Sequence, residues 1–170
     1  QVQPEQHDDD PLAQSFEVAE EAGMFMTGVD FYFQSRSEKI PLKVRIVSME
    51  SGFPSQKIIK NSEVELDPIN VNISDDGTIP THFGFRAPVY LPKGDYAFYL
   101  GSSSGDYDAW ISQVGEADIR TANLSQFQKI IVSKQPTQGS LFKAQSNVTW
   151  TASQLEDLKY KSYRAEFTKE

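Results

Sequence analysis

Apolar and polar residues alternate with a period of two along most of the chain. Leu12-Ala-Gln-Ser-Phe-Glu-Val alternates loosely and predicts a first strand after the Asp10-Pro11 turn. Gly23 restarts the chain, and Phe25, Thr27, Val29, Phe31 and Phe33 then share one face of a second strand. Leu42, Val44 and Ile46 face one way while Lys43 and Arg45 face the other, the pattern of a strand with one wet side. Gly52-Phe53-Pro54 reads as the break that ends it. A short strand is expected over 61–66, ended by Asp67-Pro68. Asp75-Asp76-Gly77 reads as a turn, and alternation resumes over 78–85. Tyr96, Phe98 and Leu100 mark another strand, and Gly101 to Gly105 a loop. Tyr107 to Val114 reads as one strand, and Leu141 opens a further short one.

The last run, Leu158 to Phe167, changes phase between Tyr160 and Tyr163. A bulge near Lys161-Ser162 is therefore expected. Helical periodicity is nearly absent. Ser153 with Glu156 three residues later matches a capping box, so at most one short helical turn is expected near 152–157. Residues 115–139 read as a long polar excursion with one short strand at 129–132. The sum is roughly eight to ten strands with frequent Gly and Pro punctuation, an all-β antiparallel sandwich of jelly-roll type. Residues 1–10 read as a flexible linker and 11–168 as a single sandwich domain.

Composition narrows the function. The chain has 170 residues, a net charge of -8 and no cysteine. An acidic surface disfavours nucleic acid and anionic membranes, and no apolar run approaches the roughly 20 residues of a membrane span. Without cysteine there are no disulfides and no thiolate chemistry. The polar start, with no initiator Met and no leader pattern, reads as a piece of a longer or processed polypeptide.

Candidate chemistry is sparse. His7 falls in the linker, and His82, between Thr81 and Phe83, reads as a strand histidine. No His-x-x-x-His, Gly-x-Ser-x-Gly or P-loop spacing occurs, so no catalytic residue is assigned. A glycosidase would need two carboxyls facing each other across a cleft. The acidic groups at 8–10, at Asp75-Asp76 and at Asp106 with Asp108 lack the calcium-loop ladder. No cofactor is expected, and a structural calcium ion is the one alternative they leave open. Asn72, Asn123 and Asn147 open Asn-x-Ser/Thr sequences, which matter only on a secretory route. Aromatic residues are the richer signal. Trp110, Tyr107 and Trp150, with Asp106, Asp108 and Asn147 as polar partners, are the candidates for a sugar platform. Trp150 is expected in the core or at its rim, locking the connection into the final strand.

Several segments together carry a resemblance. They are "DPLAQSF" at 10–16, "GMFMTGVDFYFQS" at 23–35, "PLKVRI" and "SGFPS" within 41–55, "YLPKGDYAFYL" at 90–100 and "YDAWISQVGE" at 107–116, followed by 133–167 almost entire. In this order they resemble a domain of large virion structural proteins from contractile-tailed bacteriophages, of baseplate and tail-fibre type. The stretch 120–131 departs from that pattern by its length. The resemblance implies a β-sandwich without enzymatic activity, made in the bacterial host cytoplasm and placed in the virion among other tail or baseplate subunits. It supplies no ligand residues. Contact with a host-surface glycan is the alternative reading.

Overall fold

The computed structural model describes residues 11–113, 139–145, 149–153 and 156–165. The expected linker at 1–10 and the expected strand at 129–132 lie outside them, as does Asn147. The elements are β1 (Leu12–Val18), β2 (Met24–Ser35), β3 (Leu42–Glu50), β4 (Phe53–Ile58), β5 (Val64–Leu66), a 3-10 turn (Pro68–Asn70), β6 (Pro80–Leu91) and β7 (Gly94–Gly101). They continue with β8 (Asp108–Ala109), β9 (Ile111–Gln113), β10 (Leu141–Gln145), β11 (Thr149–Ser153), β12 (Glu156–Leu158) and β13 (Tyr160–Arg164).

The larger sheet runs β11-β10-β1-β7-β3-β4, with β5 also on β3. The smaller runs β13-β2-β6, with β8 also on β2, and β9 pairs with β12. All of these pairs are antiparallel. The pairing is nested: β1 with β7, β2 with β6, β3 with β5. One two-stranded ribbon has wound across both sheets, as in a jelly roll.

The period-two pattern explains why the sheets meet. β1 turns Phe16 and Val18 inward, β3 turns Val44 and Ile46, and β7 turns Phe98 and Leu100. From the smaller sheet Phe31, Phe33 and Phe83 reach the same core. Phe31 joins the layers, edge-on to Phe98 at 5.6 Å and to Phe83 at 6.0 Å. Each such ring contributes about 1.5–3 kcal/mol by leaving water. A second cluster of Ala13, Val47, Ala97, Tyr99 and Phe142 forms on the opposite face of the larger sheet. Inside the sandwich, the Gln14 amide donates to Asp157 Oδ1 at 2.9 Å and accepts from the Leu158 N–H at 2.7 Å, tying β1 to β12.

Three expectations need correction, and one upper bound is met. The limit of at most one helical turn near 152–157 is met: among the described residues there, Ala152 and Ser153 end β11 and Glu156 begins β12. Ser153 Oγ donates to Glu156 Oε1 at 2.7 Å, a contact between the end of β11 and the start of β12. The break after β3 is the Ser51-Gly52 turn, with left-handed φ of 52° and 82°, and a new strand starts at Phe53. Pro54 fits there because β4 is an edge strand. The expected strand over 107–114 is split at Trp110 into β8, on the smaller sheet, and β9, on β12. The register shift in β13 falls at Tyr163/Arg164. Tyr163 faces outward for a polar contact described below, and this produces the phase change read in the sequence.

Candidate functional site

At one end of the sandwich the two sheets part over a cleft of about 340 Å³. Leu12, Leu42, Leu100 and Leu141 line it from the larger sheet, and Phe33 and Ala109 from the smaller. Tyr107, Ser104, Asp108 and Lys143 complete much of the lining. The loop between β7 and β8 is held by its own hydroxyls. Ser102 Oγ donates to Pro41 O at 2.9 Å and accepts from Ser104 N, and Ser104 Oγ accepts from Asp106 N. The Ser35 hydroxyl lies 2.8 Å from Asp106 O and 3.0 Å from Asp108 Oδ2, and accepts from Asp108 N at 3.1 Å.

Of the six candidate ligand residues Asn147 lies outside the described residues, and the other five divide as follows. Tyr107 and Asp108 both line the cleft, and Asp106 stands just outside it, in a shallow groove beside Glu38. Tyr107 is half-buried against Phe33, and its hydroxyl donates to Ile40 O. Burial holds that phenol above its ordinary pKa, with nearby Arg36 working against the shift.

Trp110 is only 4% exposed, and a ring so enclosed offers no face to a sugar. Its Nε1–H donates to Ser74 O at 3.1 Å, its N–H to Tyr32 O, and its carbonyl accepts from Lys159 N. Gly77 lies against the indole, where a Cβ would come within 3.2 Å of the ring, and its φ of +69° also favours glycine. Trp150 is half-buried on the second cluster, edge-on to Tyr99 at 6.1 Å, while the Arg45 guanidinium covers Tyr99 at 4.3 Å. The structure therefore brings Tyr107, Asp106 and Asp108 together and separates both tryptophans from them.

Among the described residues no three His, Asp or Glu side chains converge as cation ligands. Asp75-Asp76 is a turn: the Asp76 carboxylate accepts from Thr78 Oγ1 at 2.6 Å and Thr78 N at 3.1 Å. The Thr78 hydroxyl is the main cause holding Asp76 below its usual pKa. Asp108 is the one carboxylate in the cleft lining, so the cleft holds no glycosidase-like pair among the described residues.

A different constellation stands on the outer face of the smaller sheet. Asp30 of β2 is 4% exposed. Its Oδ1 lies 2.7 Å from His82 Nδ1 on β6, and its Oδ2 accepts from the Tyr163 hydroxyl of β13 at 2.6 Å. Register explains the meeting, since Asp30 lies opposite both His82 and Lys161. That hydrogen bond is the main cause raising the Tyr163 pKa. These residues are 52 and 133 positions from Asp30, and nothing local in the sequence marks them. Among the described residues no hydroxyl nucleophile is hydrogen-bonded to His82, so the chemistry of an acyl-transfer triad is missing.

Comparison of the chain with family models, with curated proteins and with solved structures finds no match.

Proposed function

We propose that this chain is a non-catalytic interaction module of a phage tail or baseplate protein, part of a longer polypeptide, and that it binds neighbouring subunits by surface complementarity. The observation that carries the reading is a group of exposed isoleucines at the cleft end of the sandwich. Ile69, on the 3-10 turn, is 82% exposed, and Ile73 and Ile40 are 41% and 37% exposed. Ile69 and Ile73 line one groove beside the 35–38 segment, and Ile40 lines a second on its other side. Arg36, Glu38, Lys39 and Asp106 stand around them. Apolar side chains ringed by charge are the anatomy of a protein interface, in which the buried centre binds and the polar rim orients.

The double substitution Ile69→Asp with Ile73→Asp tests this. These side chains are exposed, so the thermal midpoint of the isolated chain should stay where it was. Incorporation of the parent protein into tail particles should be lost. Normal incorporation of a folded variant would overturn the reading.

A further inference from the structure

We propose that the outer face of the smaller sheet is a binding site for an acidic saccharide, with His82 and Lys161 as its polar contacts. This is independent of the tail-module reading and uses none of the residues invoked for it.

The first argument is charge. The chain carries -8 overall, yet β2, β6 and β13 hold Arg86, Lys161 and Arg164 against one carboxylate, Asp30. That carboxylate is buried and already accepts from Tyr163 and faces His82. Arg164 is turned toward Glu20 at 3.4 Å. Lys161 is exposed, with its ammonium 5.2 Å from the centre of the Tyr163 ring. The face is therefore locally cationic on an acidic molecule, which selects an anionic occupant.

The second argument is preorganisation. The His82 side chain is 56% exposed, and an exposed side chain ordinarily moves among rotamers. Here it is fixed. The ring lies across Gly28, where a Cβ would come within 2.8 Å of His82 Cε1, and beside Gly84, where a Cβ would come within 3.4 Å of Nε2. The Tyr163 ring meets it edge-on at 5.2 Å. A carboxylate accepts, so His82 Nδ1 donates to Asp30; in that tautomer the lone pair is on Nε2, which makes no hydrogen bond among the described residues. A buried carboxylate spent on fixing a surface imidazole adds little stability that an apolar pair would not supply. It does remove the ordering cost of binding.

The third argument is the match to the ligand. Nε2 accepts from a hydroxyl, and Lys161 lies across two strand spacings, about 10 Å away, to receive a carboxylate. The Tyr163 ring lies between them. A hydroxyl donor beside a carboxylate on a rigid frame is the chemistry of a uronic or sialic acid. An acidic peptide offers the carboxylate without the fixed hydroxyl.

The test is affinity electrophoresis of the full chain against polygalacturonate and sialylated and Kdo-containing glycans. Neutral dextran and polyglutamate serve as counter-probes. Retardation by at least one acidic glycan and by neither counter-probe is expected. Lys161→Ala should weaken it about tenfold, and His82→Ala should weaken it likewise. Lys161→Ala removes no donor from a buried group and keeps the test open should His82→Ala fail to fold. Absence of retardation by every acidic glycan would overturn the proposal. So would equal retardation by polyglutamate, which would indicate an acidic protein partner, or retardation that Lys161→Ala leaves unchanged.

Discussion

Asp157 shows how much one residue inside the sandwich depends on its surroundings. It is 5% exposed, and burial raises its pKa while the Gln14 amide pulls it back. A carboxyl that holds its proton more tightly when folded makes the fold most stable where it is protonated. Stability then falls as pH rises from the ordinary value of 3.8 to the raised one, and stays lower above it. Asp157→Asn keeps an acceptor for Gln14 and removes the buried charge. It should raise the thermal midpoint at pH 7 and lose that advantage below pH 3.8. Equal midpoints at pH 7 would show that the charge is solvated in a way the geometry does not reveal. Lys159 follows the same logic with the opposite sign: burial lowers its pKa, and Asp76 partly restores it.

At the scale of elements, the turn after β4 depends on one hydroxyl. Ser62 is fully buried, and its Oγ accepts from Ile46 N at 3.0 Å while lying 2.6 Å from Ile59 O. Ser62→Ala leaves the Ile46 N–H without that acceptor in the interior of β3 and should cost about 1–3 kcal/mol. Urea unfolding measures it, and a loss below about 0.5 kcal/mol would mean that water replaces the hydroxyl.

Strands such as β2, β3 and β7 were legible in the sequence because each alternates cleanly against one core. β11 was not. Thr149 to Ser153 has little apolar content, and the Ser153–Glu156 spacing that reads as a capping box joins the end of one strand to the start of another. Trp110 misled in another way. It interrupts its strand to bury an indole over Gly77, and an aromatic residue among acids reads as a platform until its burial is known. Asp30, His82 and Tyr163 were invisible as a group, because strand register alone brings them together.

The whole molecule is built from contacts between distant parts of the chain. Leu12 faces Leu100 on one side and Lys143 on the other. Such topology folds in milliseconds to seconds, because loop closure must precede any stabilising contact. Trp110 is buried and Trp150 half-buried, so tryptophan fluorescence should report refolding from urea. Relaxation on the microsecond scale would show that local contacts carry more of the fold than the pairing suggests.

The nested ribbon also has a consequence for synthesis. Of these strands a ribosome delivers β1 first, yet β1 belongs in the middle of the larger sheet, between β7 and β10. Until β7 has left the exit tunnel, β1 has no neighbouring strand to pair with. Within this domain β1 therefore stays unpaired, with its apolar side chains uncovered by a neighbouring strand, until β7 has emerged. Chaperone binding should concentrate there, and a translation pause after β7 would be the first at which the domain could begin to close.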